Sequence, residues 1–257
     1  MGNGKKRVAI LDETRGFAVF CMVFYHAFVI YYLFFDSEIA YKAYKFFEPV
    51  QPIFAAGFIL ISGICSRLSH NNTARGLKLL AVSIALTFIT AVLLPSFGFK
   101  DTGIYFGILH LLSISMLMFS IFRKPMDKMP AAIGALLCLA IVFLTRDITA
   151  GKIGLWGDMM LTIPEKIQNV DYLFPLGIQS DKFFSADYFP IFPWAFVFLF
   201  GSYVGISVKN GKVPSFAYKT RVKFFDVLGK NALIIYLFHV PVLYVIGFAI
   251  QWALSKF

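Results

Sequence analysis

Apolar runs of about 20 residues, separated by short polar segments, dominate the chain. A helix of that length crosses the roughly 30 Å hydrocarbon layer of a bilayer, and no run carries the polar stripe of a soluble core helix. The pattern therefore predicts an all-α polytopic membrane bundle of about seven transmembrane helices, forming a single domain over residues 1–257. The predicted spans are 16–35, 50–66, 79–95, 103–122, 130–145, 188–208 and 231–254.

Composition agrees with this pattern. Of the 257 residues, 59% are hydrophobic and 15% are charged, whereas a soluble domain carries about 25% charged residues. The formal net charge of +10 would suit a nucleic-acid-binding protein, but the basic residues lie between apolar runs rather than on one polar face. We therefore expect the lipid bilayer, and no nucleic acid, as a partner.

The basic residues favour one side of the predicted bundle. Sixteen of the 24 lysines and arginines fall on the side of the N-terminus, among them Lys5, Lys6 and Arg7. The positive-inside rule makes that side cytoplasmic, so seven spans place the C-terminus outside a plasma or inner membrane. The long segment 146–187 then lies outside, either as a plain connector or as a lid or platform for an acceptor. The segment 36–49 is interpreted as a loop.

Three of the four histidines lie inside predicted spans. At a rise of 1.5 Å per residue, His26, His110 and His239 fall in the middle third of the bilayer, whereas His70 lies in a polar loop. Ionisable side chains at such depth usually face a partner or a cavity, which makes the three histidines candidate catalytic residues. Packing through a hydrogen bond is the alternative for each. Their spacing lacks the i, i+4 pair of helical zinc ligands, so no metal is expected.

Arg15 and His26 are predicted to share one face of the first helix. They are 11 residues apart, which turns a helix by about 1,100°, within about 20° of three full turns, and separates them by about 16 Å. A phosphate-bearing carrier entering from the cytoplasm would meet the Arg15 guanidinium first, since arginine suits phosphates, and its reactive end would reach His26. The alternative for Arg15 is a positively charged anchor at the membrane surface.

Five stretches occur in an order that is typical of one family. They are LDETRG at 11–16 with His26 completing an R-x10-H spacing, LISG at 60–63, GILH at 107–110, DYFPIFPW at 187–194 followed by Gly201 and Gly205, and LGKNAL at 228–233 continuing to YLFH at 236–239. Together they resemble the transmembrane acyltransferases, and within them the heparan-alpha-glucosaminide N-acetyltransferase-like family, along nearly the whole chain.

The resemblance implies an O- or N-acyltransferase with acetyl-CoA, or another acyl-CoA, as co-substrate. It would take the acyl group from the cytosol and deliver it to a sugar or related acceptor on the external side. Arg15 would help to hold the CoA phosphates, and His26 would act as general base or acyl carrier. One departure is that lysosomal members carry an asparagine at the position of His26 and a histidine after the first span, whereas 36–49 contains no histidine here. The specificity of these lysosomal members for glucosamine is therefore not expected of this chain.

Polar residues near the span ends complete the candidate site. Asp187 is expected to orient a histidine or to bind an acceptor hydroxyl, with an ordinary interfacial carboxylate as the alternative. Asp12 is expected to pair with Arg15 or with Lys230, and these three residues together with Asn231 form the predicted CoA-binding group. A first-turn helix acid is the alternative for Asp12, and a helix cap for Asn231.

Two other functions stay open on the sequence alone. A proton-coupled or small-solute transporter would also use intramembrane histidines, although no matching pair of broken helices is visible. A seven-helix sensor or scaffold would need only the span count. The sequence also leaves open whether the chain forms a homodimer and whether acyl transfer is direct or passes through an acyl-histidine.

Overall fold

The computed structural model describes residues 7–180 and 182–256, except for the side chain of Asp158. Within these residues, seven helices are long and apolar enough to cross a membrane, which confirms the predicted all-α, multi-pass architecture. Lys5 and Lys6 lie outside the described residues, and the end of the bundle that faces the cytoplasm stays a prediction. The helices are α1 (Ala9–Phe35), α2 (Glu38–Phe47), α3 (Gln51–Leu68), α4 (Asn72–Phe88), α5 (Leu94–Ser96), α6 (Ile108–Asp127), α7 (Ala131–Thr145), α8 (Glu165–Gln168), α9 (Ile191–Lys209), α10 (Lys223–Lys230) and α11 (Ala232–Leu254).

Two span limits differ from the prediction in ways that bear on the site. Helix α1 begins at Ala9 rather than at 16, so Arg15 lies inside the helix, because a helix continues past the hydrocarbon layer wherever its residues permit. Helix α6 begins at Ile108 rather than at 103. His110 therefore lies in the first turn of α6, and its predicted place deep inside a span is wrong.

The chain divides by its internal contacts into two compact units. The first unit consists of residues 1–61 and 213–257, with α1, α2, most of α3, α10 and α11. The second unit consists of residues 62–212, with the end of α3 and α4 to α9. The predicted single domain stays a prediction.

In the first unit, α1 and α10 touch backbone to backbone. A Cβ atom on Gly16 would lie 1.9 Å from the carbonyl oxygen of Phe225, and one on Gly229 would lie 1.8 Å from that of Asp12. Only residues without a side chain allow so close an approach, as in the small-residue contacts of other membrane helices. The family stretches LDETRG and LGKNAL therefore contact each other at their glycines.

Helices α1 and α11 run parallel. The Tyr31 hydroxyl donates to the carbonyl oxygen of Leu243 at 3.4 Å, and further along both helices the rings of Phe35 and Phe248 lie 5.3 Å apart. Contacts therefore advance in the same direction along both helices, as expected for two spans that begin on the same side of the membrane.

The segment 36–49 contains a helix, so its interpretation as a loop is wrong. Ser37 caps α2, because its hydroxyl accepts a hydrogen bond from the backbone N–H of Ala40 at 3.3 Å. The apolar side of α2 packs back along α1, with the rings of Tyr32 and Tyr41 at 4.8 Å. A helix of ten residues is too short to register as a span, but its amphipathic pattern suits a helix that lies on another.

The second unit is held together by small residues and by a buried arginine. A Cβ on Gly63 of α3 would lie 1.9 Å from the carbonyl oxygen of Phe198 on α9. Nearby, Arg67 is only 3% exposed; its Nε donates to the carbonyl oxygen of Ser202 at 3.0 Å, and its guanidinium pairs with Asp127. The family's Ser-Gly stretch thus serves helix packing.

The segment 146–187, predicted to lie outside, is folded rather than structureless. It contains the paired strands β1 (Lys152–Ile153) and β2 (Leu161–Thr162), helix α8 and short 3₁₀ turns. Its end is tied to the start of α6, since the N–H of Phe189 donates to the carbonyl of Phe106 at 3.0 Å. A role as a lid or acceptor platform stays a prediction.

Candidate active site

The first unit brings two of the three predicted histidines together. The ring centroids of His26 on α1 and His239 on α11 lie 4.9 Å apart, with their planes at 66°. His239 is buried and His26 is half-buried. The sequence predicted similar depths in the membrane for these two residues. Because α1 and α11 pack side by side and run parallel, the two rings contact each other.

Each of these rings is held by its own helix through Nδ1. In His26, Nδ1 lies 2.9 Å from the carbonyl oxygen of Met22; in His239, it lies 2.7 Å from that of Tyr236. A carbonyl oxygen only accepts, so Nδ1 carries the hydrogen in both rings. The lone pair of each neutral imidazole is therefore on Nε2, which is the tautomer that a general base needs.

Arg15 and His26 lie on the same face of α1, as predicted, because α1 is one helix from Ala9 to Phe35. Val19, which lies between Arg15 and His26 on this face, is 2% exposed, and Ile30, one turn beyond His26, is 5% exposed. The face that carries the guanidinium and the imidazole is therefore turned towards protein rather than towards lipid.

Five side chains form an ion cluster at the Arg15 end of α1. Asp12 accepts from Arg7 at 2.5 Å and from Arg15 at 3.1 Å, while Asp226 accepts from Arg7 at 3.1 Å and from Lys230 at 2.6 Å. The pairing of Asp12 with Arg15 is thus confirmed, and Lys230 binds a carboxylate that the sequence did not single out. The hydrogen bond from Lys230 lowers the pKa of Asp226, and the bond to Asp12 raises the pKa of Arg7.

Two further side chains join α10 to its neighbours. Glu13 on α1 accepts from the backbone N–H groups of Arg221 and Val222 at 2.5 and 3.1 Å, so it fixes the chain to α1 just before α10 begins. The amide of Asn231 donates to the carbonyl oxygen of Val227 at 2.9 Å. Asn231 therefore binds the end of α10, and it makes no side-chain cap for α11.

His110 and Asp187 belong to the second unit and lie at the start of α6. The Nδ1 atom of His110 accepts from the N–H of Gly107 at 3.3 Å, and its Nε2 lies 3.2 Å from the Thr87 hydroxyl. Asp187 accepts from the N–H of Ile108 at 3.0 Å. Both side chains thus bind N–H groups that the first turn of a helix leaves without helical partners.

The sequence interpretation missed Asp226, Arg7 and Glu13. All three act through α10, an eight-residue helix between the predicted spans 188–208 and 231–254. The i, i+4 spacing of Asp226 and Lys230 was the one local signal of that helix. Nothing local shows which helix α10 packs against.

A pocket of about 480 Å³ opens in the second unit where the segment 146–187 meets the connection between α5 and α6. It combines charged and aromatic side chains, among them Asp101, Tyr105, Asp171, Phe174 and Lys182. An acceptor platform at this pocket stays a prediction.

In residues 7–180 and 182–256, no group of three or more His, Cys, Asp or Glu side chains is placed to hold a metal ion.

Comparisons with known proteins identify the family. Searches among curated proteins and among solved structures found no match. A family model described as heparan-alpha-glucosaminide N-acetyltransferase, catalytic, matches residues 7–241, which include the histidine pair and the ion cluster. The chain therefore belongs to the heparan-alpha-glucosaminide N-acetyltransferase catalytic-domain family of multi-pass membrane acetyltransferases.

Proposed function

We propose that this protein transfers an acetyl group from acetyl-CoA, its co-substrate, to a sugar or related acceptor on the other side of the membrane. The observation that carries the proposal is the shared face of α1, on which the Arg15 cation lies about 16 Å from the His26 imidazole. The extended arm of CoA has a similar length. The face is turned towards protein, as an internal passage requires.

The ion cluster is the proposed binding site for the CoA phosphates. Its three cations, Arg7, Arg15 and Lys230, exceed its two carboxylates by one charge, and the carboxylates hold the guanidinium groups in fixed directions. Guanidinium groups bind phosphates through two parallel hydrogen bonds, which favours the arginines over Lys230, and Arg15 is the one on the face of α1 that leads to His26. The charge pattern of the loops supports a cytoplasmic location for this end.

His26 is the proposed general base. Its Nε2 lone pair takes the proton of the acceptor's hydroxyl or amine while that group attacks the thioester carbonyl, and the proton then passes to the departing CoA thiolate. His239 shares this proton rather than adding a second one, because two imidazolium cations about 5 Å apart repel by about 3 kcal/mol at an effective dielectric constant of 20. An acyl-histidine intermediate on the same nitrogen is the second route.

His110 and Asp187 have structural roles in this proposal. Their hydrogen bonds to the first turn of α6 support a role in fixing the helix start, and both ring nitrogens of His110 face partners. Neither ring nitrogen of His110 therefore offers the open lone pair that is proposed for His26.

A vesicle assay with labelled acetyl-CoA tests the proposal. We expect His26→Ala to lower kcat by about 10² to 10⁴-fold, the usual contribution of a general base. The matched control is His70→Ala, an exposed histidine of the second unit, which should transfer as the parent does. Arg15→Gln should raise the KM for acetyl-CoA about tenfold, since a charge-assisted hydrogen bond is lost. Transfer by His26→Ala at the parent's rate would contradict the assigned role.

A further inference from the structure

Helix α10 carries a partly uncovered apolar stripe beside its contact with α1. Phe224 is 56% exposed and Val227 is 49% exposed, and both lie on one face of the helix because they are three residues apart. The buried Gly229 lies on the opposite side of α10, where it touches the backbone of Asp12. Phe224 and Val227 therefore form an apolar stripe that the rest of the described chain leaves half uncovered.

Three exposed cations, Lys219, Arg221 and Lys223, lie just before α10 or at its first residue and form a basic face. The guanidinium of Arg221 lies 4.8 Å from the centre of the Phe216 ring, which is itself 43% exposed. From 212 to 230 the sequence has five basic residues and one acidic residue, Asp226, which the ion cluster already pairs. The surface is therefore both apolar and strongly positive.

The basic face and the apolar stripe lie at different levels along α1. Glu13 binds the backbone N–H of Arg221 at 2.5 Å, whereas the ring of Phe224 lies 5.8 Å from that of Phe20. Seven helical residues separate Glu13 from Phe20, which is a rise of about 10 Å towards the middle of the span. Cations near the start of a span with apolar side chains deeper match the change from headgroups to acyl chains at a bilayer surface.

We propose that this surface binds anionic phospholipids, with the headgroup phosphates on the basic face and the acyl chains beside the apolar stripe. Each basic residue close to an anionic membrane surface strengthens binding about fivefold, and the exposed apolar side chains gain by leaving water. Lipid binding at α10 does not depend on the proposed acetyl transfer.

Two other occupants fit the surface less well. A soluble phosphate would pair with the basic face but would leave the apolar stripe in water. A second copy of the chain would meet the surface across a two-fold axis, which places the same patch of both copies face to face. The three cations of one copy would then oppose the three of the other, and like charges repel.

Amide hydrogen exchange of the full-length protein in lipid nanodiscs tests the proposal. The discs contain phosphatidylcholine alone or a mixture with phosphatidylglycerol, and both faces of a disc are open, so the test does not depend on which end of the bundle is cytoplasmic. We expect phosphatidylglycerol to slow exchange in residues 215–230 about five- to 100-fold, the effect of one to three basic residues at about fivefold each. High salt should remove the slowing, since it screens charges at a surface.

Two triple variants show where the response arises. Lys219→Gln, Arg221→Gln and Lys223→Gln, combined in one chain, should abolish the effect of phosphatidylglycerol on 215–230. The matched control combines glutamine substitutions of three exposed lysines of the second unit and should keep the effect, although it removes the same charge; these lysines are Lys124, Lys128 and Lys209. Exchange in α1 and α11 should stay at the parent's rate in both variants, which shows that the fold is kept.

Equal exchange of 215–230 in the two kinds of disc would overturn the proposal. A response that survives in the basic-face variant would also overturn it, because charges elsewhere would then cause the slowing. If glycerol 3-phosphate slows exchange in discs of phosphatidylcholine alone, the basic face binds soluble phosphates instead. If slowing occurs only in discs that hold two copies of the chain, the surface serves self-association, and the lipid proposal is again wrong.

Discussion

Gly16→Ala tests the contact on which the ion cluster depends. The added methyl group would lie 1.9 Å from the carbonyl oxygen of Phe225 and 2.8 Å from the nitrogen of Gly229. Both are backbone atoms, so no side-chain rotation relieves the overlap. Restoring ordinary van der Waals distance requires α1 and α10 to separate locally by about 1.5 Å. Asp12 and Arg15, which flank Gly16, would then move away from the α10 residues of the cluster.

The size of the effect follows from two opposing contributions. Overpacking a close contact costs about 1–3 kcal/mol, and a backbone clash belongs at the upper end of that range. Replacing a helical glycine by alanine returns about 1 kcal/mol through helix propensity. We therefore expect Gly16→Ala to lower the free energy of unfolding by about 1–2 kcal/mol and to raise the KM for acetyl-CoA.

Reversible unfolding in detergent, together with the vesicle assay, measures both effects. Gly57→Ala is the matched control, because Gly57 also lies within a helix of the first unit but a Cβ there has nothing within 4 Å. It should keep the parent's KM and gain up to about 1 kcal/mol of stability. If Gly16→Ala proves as stable as Gly57→Ala, with the parent's KM, the account of the α1–α10 contact is refuted.

Three further predictions concern charged residues. Because the hydrogen bond from Lys230 lowers the pKa of Asp226 below its ordinary 3.8, this carboxylate stabilises the fold above pH 3.8 and loses its contribution as pH falls through the lower folded value. Thermal unfolding as a function of pH should therefore show a steeper acid loss for the parent than for Asp226→Asn. Asp187→Asn should lower the melting temperature and leave the KM for acetyl-CoA unchanged, and a change in KM alone would argue against its structural role. Arg67→Met should cost about 1–3 kcal/mol in unfolding experiments, because it leaves the buried carbonyl oxygen of Ser202 without its donor and removes the cation that pairs with Asp127; a variant as stable as the parent would contradict that.

The sequence predicted the features that depend on local periodicity. Hydropathy over about 20 residues is sufficient to identify a span, and each of the seven predicted spans overlaps an observed one, with limits up to seven residues apart. The relation of Arg15 to His26 was also predictable, since 11 residues on one straight helix have a fixed angle and rise.

The same reasoning did not predict the short amphipathic helices or the contacts of their residues. Helices α2 and α10 have ten and eight residues, and their apolar faces mix with polar ones. The hydropathy pattern therefore predicts no span for either helix. The carboxylate Asp226 was missed with α10; its contact with Lys230 lies within that helix, whereas its contact with Arg7 depends on the packing of α10 beside the start of α1.

The partners within the site were settled by tertiary structure. The sequence left open whether Asp12 pairs with Arg15 or with Lys230; in the structure Lys230 binds Asp226 within α10, and Asp226 meets Arg7 because α10 packs against α1. Likewise, the sequence predicted similar depths for His110 and His239, but His239 lies against His26 in the first unit, whereas His110 lies in the first turn of α6. Sequence periodicity constrains a residue's height and its angle on its own helix. Which helices pack together, and at what register, depends on contacts between residues far apart in the chain, and these arise only when the bundle is assembled.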